Sequence, residues 1–214
     1  MSLGERVRRV LGRRLSFVVG RWYRAIFVDL GLEARALSTT FPDGAHVLDI
    51  GGGDGEPLNH LLRLRPDLQI TTIDPGPEVG QWLASEYQAQ VTRLPRTGLE
   101  DYLAAGQPSP DALLIADVLH HIPEAGRGRF LGSVNQLLER LPNLRIVVKD
   151  VEPGSLRARL GYWSDRYITG DRSVSLVSRA HLIHIFGEAL GPLRHDETDL
   201  FVHDKPNYAI VFYR

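Results

Sequence analysis

The chain has 214 residues, of which 43% are hydrophobic and 24% charged, the ordinary proportions of a globular protein with one core. Its 25 Lys and Arg nearly cancel its 26 Asp and Glu, so whole-chain charge gives no basis for binding nucleic acid. It has no cysteine, which excludes disulfides, thiolate metal sites and a cysteine nucleophile and fits a reducing compartment.

The N-terminus is basic. Arg6, Arg8, Arg9, Arg13, Arg14, Arg21 and Arg24 crowd it, opposed there only by Glu5. Residues 15–20 are apolar, but the run is far shorter than the roughly 18 residues of a spanning helix. Arg21 ends it and no small-residue cleavage pattern follows, so the expectation is a soluble, cytoplasmic protein. Residues 4–40 read as helical. Val7, Val10 and Leu11 share a face, and Leu15, Val18, Val19, Trp22, Ile26 and Leu30 recur at three- and four-residue steps. Gly31 is read as a terminator before a short helix over 33–39, and Pro42-Asp43-Gly44 as a turn.

From there strands and helices alternate. A strand over 46–50 runs into glycines and a helix carrying Leu58, Leu61 and Leu62, which Pro66-Asp67 breaks. Next come a strand over 68–73 that ends at Asp74-Pro75-Gly76, a helix over 79–87 and a strand over 90–94. A short helix over 99–105, a strand over 112–116, a helix over 127–141 and a strand over 145–149 complete the alternation. This rhythm predicts a parallel sheet covered on both faces. After Lys149 the pattern changes. Helices are predicted over 156–168 and 178–190, the second with Ser178 as N-cap. Strands over 198–202 and 208–213 pair across Lys205-Pro206-Asn207 as an antiparallel hairpin.

The chemistry centres on Asp49-Ile50-Gly51-Gly52-Gly53-Asp54-Gly55, where a strand feeds a glycine-rich turn and then a helix. Such a turn lets backbone approach a nucleotide, and the helix start offers free N–H groups. A dinucleotide fold requires G-x-G-x-x-G, but with Gly51 and Gly53 as the first two glycines the third place falls on Glu56, bulky and charged. A P-loop requires Gly-Lys-Ser/Thr, which is absent.

What stands here, an acid, one residue, then G-x-G-x-G, resembles motif I of the class I S-adenosylmethionine-dependent methyltransferases. Asp74 closes the second strand, where that family keeps an acid for the ribose hydroxyls. Ile115-Ala116-Asp117-Val118-Leu119-His120-His121-Ile122-Pro123 resembles its fourth-strand motif, common in small-molecule members, and Val147-Val148-Lys149-Asp150 falls at its fifth strand. The resemblance covers roughly residues 44–214. It implies a single domain over 1–214, with an N-terminal helical cap (1–40), a cofactor-binding half (44–150) and acceptor-side helices with a closing hairpin (151–214). The implied fold is α/β, a Rossmann-like sheet of order 3-2-1-4-5-7-6 with strand seven antiparallel and helices on both faces. The implied cofactor is S-adenosyl-L-methionine. Asp49, Gly51, Gly53, Asp54 and Gly55 would shape its methionine side, Asp74 with Pro75 its ribose, Asp117 the same crevice, and Tyr23 and Arg24 its carboxylate. The family's acid after strand three is missing. Arg93, Pro95, Arg96 and Thr97 occupy that stretch, so backbone over 97–99 is expected to meet the adenine.

Methyl transfer to a hydroxyl requires alignment and proton removal, and histidine is the residue matched to neutral pH. His120 and His121 are therefore the expected bases, with Lys149 and Asp150 as further catalytic candidates or as an ion pair. Tyr162, Trp163 and Tyr167, with Asp165 and Arg166 between them, are the expected acceptor wall, aromatics with interspersed charge that suit a flat or apolar molecule. His181 and His184 lie one helical turn apart, and no His/Asp/Glu spacing compels a metal site, so none is expected. The reading is methyl transfer to a small hydrophobic or aromatic metabolite, at oxygen. Transfer to carbon or nitrogen of a quinone- or lipid-like acceptor stays open, as does a non-catalytic binding module. Contact of the arginine-rich N-terminus with an anionic membrane surface is the rival to a solvated face. The sequence leaves the oligomeric state open.

Overall fold

The structure is a computed structural model and describes residues 28–156, 158, 160, 174–199 and 206–214. The helical readings before residue 28 and over most of 156–168 lie outside the described residues. Among the described residues no helix is long and apolar enough to cross a membrane.

Seven strands form one mixed sheet: β1 His46–Ile50, β2 Gln69–Asp74, β3 Val91–Pro95, β4 Ala112–Ala116, β5 Arg145–Val151, β6 Arg194–Asp199 and β7 Asn207–Tyr213. Their order is β3-β2-β1-β4-β5-β7-β6. The first five pair in parallel, and β7 runs antiparallel to both β5 and β6. This is the Rossmann-like architecture expected. Among the described residues the helices are α1 Leu30–Ser38, α2 Glu56–Leu64, α3 Leu99–Ala104, α4 Glu124–Arg140 and α5 Arg179–Leu190.

Alternation along each strand sorts side chains onto two apolar layers. Leu48, Leu113, Ile115, Ile146 and Val148 pack against α3, α4 and α5, around Leu99, Leu131, Val134 and Phe186. Val47, Leu114, Val147, Ala209 and Val211 pack against α1 and α2, around Leu37, Leu58, Leu61 and Leu62. The parity continues past the apolar residues. Asp49 and Lys149 share the α1–α2 face, and Asp150 lies on the α4–α5 face. The chain crosses from one side of β1 to the other between β3 and β4, so the crevice between the carboxyl ends of β1 and β4 is the switch point where ligands lodge in such sheets.

Three expectations are corrected. Gly31 does not end a helix. Asp29 accepts the Leu32 N–H at 3.0 Å and starts α1, which takes Gly31 as its second residue. Residues 79–87 form no helix beyond one 3₁₀ turn, Ser85–Tyr87. The Gly80 N–H donates instead to the Gly53 carbonyl and the Trp82 N–H to the Asp54 carbonyl, both at 2.8 Å, while Asn59 takes the Trp82 carbonyl and the Ala84 N–H. This segment spends its hydrogen bonds clasping the glycine turn, which outweighs a helical apolar spacing. Strand β6 begins at Arg194, four residues before the predicted strand. Its Arg-His-Asp-Glu-Thr-Asp run has no apolar alternation, because it is an edge strand whose charges protect an open ladder from pairing with another chain.

Candidate active site

The turn after β1 is held from three sides. The Gly51 and Gly52 N–H groups both donate to the Ile73 carbonyl on β2, at 2.8 and 3.2 Å. A Cβ on Gly52 would collide with the Thr72 hydroxyl and lie 2.6 Å from the Asp49 carboxylate. Gly52, which the sequence did not single out, is thus required by the protein's own packing. Gly53 differs. It has φ +49°, and a Cβ there would meet nothing closer than 3.8 Å, so its outer side is open to a ligand. Asp54 accepts the Glu56 N–H at 3.0 Å, just ahead of α2, whose N-cap is Gly55.

Asp74 joins this turn from the next strand. One carboxylate oxygen accepts the Gly53 N–H at 3.2 Å and the other accepts the Gly76 N–H at 2.7 Å. A carboxylate has about four acceptor positions, so capacity for two hydroxyl donors is left. The backbone after β3 is less available than expected. The Thr97 N–H goes to the Asp74 carbonyl at 2.9 Å and the Gly98 N–H to the Asp101 carboxylate at 3.0 Å. Two of the donors assigned to adenine are therefore already engaged.

Asp49 is buried beneath the turn, 5% exposed, with its carboxylate accepting the Thr72 hydroxyl at 2.7 Å. Burial pushes its pKa up to about 6; the Thr72 bond opposes this and the charge of Asp74 adds to it. An acid harder to ionise folded than unfolded weakens the fold as pH rises from the ordinary carboxylate range through about 6. The cost at neutral pH is of order 3 kcal/mol. Asp49→Asn should therefore be more stable than the parent in urea at pH 7 and no more stable at pH 3.5. A stability difference independent of pH would refute this account.

A second group of charges stands where β4 and β5 end. The Lys149 side chain is fully buried, its Nζ 2.6 Å from Asp117 Oδ2 and 3.4 Å from Glu33 Oε2 on α1. Burial alone would depress its pKa, but Asp117 and Glu33 outweigh burial and hold the ammonium well above its ordinary range. Asp117 shows the converse: burial would raise its carboxyl, and Lys149 brings it below the usual value. Asp117 takes the left-handed conformation, φ +56°, which Asp tolerates better than most residues. Its Oδ1 is buried without a hydrogen-bond partner. A cavity of about 70 Å³ adjoins this group, lined by Glu33, Asp49, Gly51, Gly52, Pro57 and Asp117 among others.

On the opposite face His120, 3% exposed, meets Asp150, which is fully buried, with Nδ1 and Oδ1 2.6 Å apart. The alternative of a Lys149–Asp150 ion pair is overturned. Neighbours on a strand point to opposite faces, so Lys149 reaches Asp117 and Glu33 while Asp150 reaches His120. His121 is exposed, its ring centroid 4.2 Å from that of His120. Asp117, His120 and Asp150 bring one ligand atom each within 4.8 Å of one another. Sequence spacing hid this convergence, since Asp150 lies a whole helix and strand away. At this cluster the Lys149 ammonium already supplies positive charge to Asp117, and His120 Nδ1 is engaged by Asp150. His181 and His184 are exposed on α5, with ring centroids 6.5 Å apart, and His184 meets Glu188 at 3.5 Å. Tyr23, Arg24, Tyr162, Trp163 and Tyr167 lie outside the described residues. Glu33 was not anticipated at all; a buried acid on an otherwise amphipathic helix was the only available signal.

Residues 23–191 match a family described as a methyltransferase domain. The chain belongs to that methyltransferase family. Among curated proteins no sequence match is found. Solved methyltransferases share the fold. Human N-acetylserotonin methyltransferase superposes with a TM-score of 0.64 at 20% identity, over 85% of this chain and 51% of that one. The methyltransferase SibL gives 0.69 at 22% identity, over 97% and 61%. The Burkholderia thailandensis 1,6-didemethyltoxoflavin N1-methyltransferase gives 0.65 at 18% identity, over 92% and 82%. This methyltransferase-family chain thus spans about half the length of the first of these proteins. The class I S-adenosylmethionine-dependent fold that the motifs suggested is the one observed, in strand order and in the direction of β7. Its glycine turn fits that family's cofactor on three local observations: the open side of Gly53, the spare acceptor capacity of Asp74 and the unpartnered Asp117 Oδ1 beside the cavity.

Proposed function

We propose that this chain transfers the methyl group of S-adenosylmethionine to an oxygen of a small hydrophobic or aromatic molecule. The observation that carries the reading is the buried His120–Asp150 pair at the carboxyl edge of the sheet, 2.6 Å between Nδ1 and Oδ1. When bound, the sulfonium cofactor supplies an activated methyl group, so the protein's task is to hold both partners and take a proton. An ionised Asp150 can only accept, which places the imidazole hydrogen on Nδ1 and leaves Nε2 as the basic nitrogen. His120 then removes the acceptor's hydroxyl proton, and Asp150 steadies the imidazolium that results. Asp74 and the turn over 51–55, with Asp49 beneath, hold the nucleoside; Asp117 faces the same crevice. The aromatic stretch Tyr162, Trp163 and Tyr167 would face the acceptor, and Tyr23 and Arg24 the cofactor's carboxylate.

Cofactor binding is tested without knowing the acceptor. Asp74→Ala should weaken S-adenosylhomocysteine binding at least about tenfold by calorimetry, since two hydroxyl contacts and the bond to Gly53 are lost together. Unchanged affinity would remove the cofactor assignment, and absence of binding by the parent chain would favour a non-catalytic module. A second reading is transfer to nitrogen. It is favoured by the likeness to the N1-methyltransferase, 82% of whose length this chain covers. A neutral nitrogen needs no base, so the role of His120 separates the two.

A further inference from the structure

Arg127 has no part in the chemistry described above, yet only 6% of it is exposed. It stands in the first turns of α4. Its Nε donates to the Ile122 carbonyl at 3.1 Å and its Nη2 to the Ser175 carbonyl at 2.8 Å. The Ser175 N–H in turn donates to the His120 carbonyl at 2.8 Å. These bonds join the connection after β4, the guanidinium and the segment over 174–178 into a closed ring. The far end of that segment is pinned as well, by Tyr208 Oη on the Val177 carbonyl at 2.8 Å and by Ser178 as the N-cap of α5.

His120 needs such an anchor. It sits in a 3₁₀ turn of three residues, Leu119–His121, that has no side-chain cap. Two backbone bonds close the turn, from the His121 N–H to Val118 and from the Ile122 N–H to Leu119, and the His120 carbonyl is taken by Ser175, while the ring must meet a carboxylate on another strand at 2.6 Å. A flexible ammonium would leave that backbone loose. The planar guanidinium spans two carbonyls at a set separation. We infer that Arg127 is a positioning residue for the His120–Asp150 pair, tying the loop that carries His120 to the segment over 174–178. The inference rests on the reading of His120 as the base. Among the described residues the titratable groups around the pair include Lys149 on β5, Asp117 and His121 on the connection after β4, and Tyr208 on β7.

Imidazole NMR on the full chain with S-adenosylhomocysteine bound tests this. In Arg127→Lys the charge stays and the fork is lost. The His120 Nδ1 proton should then exchange with solvent about tenfold faster and the His120 titration should move, while calorimetric affinity for S-adenosylhomocysteine stays within about twofold. Ser175→Pro removes the Ser175 N–H that donates to the His120 carbonyl and should move the same signals in the same direction. It decides the matter alone if the arginine variant does not fold. Parental exchange and titration in a folded variant overturn the inference. If Asp150→Asn leaves the parental His120 signals unchanged, the pair itself is refuted and the inference goes with it.

Discussion

Lys149→Met is expected to lower stability by about 2–4 kcal/mol, because it removes the cation facing the buried Glu33 carboxylate and the partly exposed Asp117, the latter softened by solvent. Lys149 is wholly buried and Glu33 nearly so, so solvent screens that pair little, while Asp117, 40% exposed, is screened in part. The sign of the pH dependence follows from the raised pKa of Lys149. Its contribution is fully present below the ordinary lysine value of about 10.4 and fades only as pH rises beyond that, through the folded value. Urea denaturation at pH 7 would measure the loss. Lys149→Met/Asp117→Asn should recover part of it, since asparagine also accepts the left-handed backbone at 117 and brings no charge. A single variant within about 1 kcal/mol of the parent would mean that solvent reaches this cluster.

His120→Asn is expected to lower kcat by about 10²–10⁴-fold for a hydroxyl acceptor, the usual worth of a positioned base. Affinity for S-adenosylhomocysteine should hold, because His120 lies on the α4–α5 face and Asp49 and Lys149 on the other. Asp150→Asn should act in the same direction, since an amide can donate to Nδ1 and invert the tautomer. The measurement is transfer from radiolabelled S-adenosylmethionine to a panel of phenols and aromatic amines. Phenol methylation at the parental rate in both variants would refute base catalysis. Activity confined to the amines, and unchanged in the variants, would select the nitrogen reading.

The parallel strands were legible because short runs rich in apolar and β-branched residues stand between turns. The strand over 112–116 is observed as Ala112–Ala116, and Ser178 does cap α5. What misled was local pattern overridden by distant bonds. The apolar spacing over 79–87 is helical, but its N–H and carbonyl groups serve the glycine turn and α2 earlier in the chain, as the bonds from Gly80 to Gly53 and from Ala84 to Asn59 illustrate. The start of strand β6 at Arg194 was missed for the opposite reason, since that stretch has no apolar pattern to read.

The site divides in the same way. Composition and order of motifs were enough to specify a methyltransferase-type sheet, its glycine turn and the acid that closes β2, because each depends on residues adjacent in the chain. Which charges meet depended on the third dimension. Lys149 and Asp150 are neighbours in sequence, yet the pleat of β5 sends one to Asp117 and Glu33 and the other to His120. Glu33, Arg127 and Ser175 became visible only when the sheet brought their elements to its carboxyl edge. Low local dielectric makes such meetings decisive, and no linear spacing encodes them.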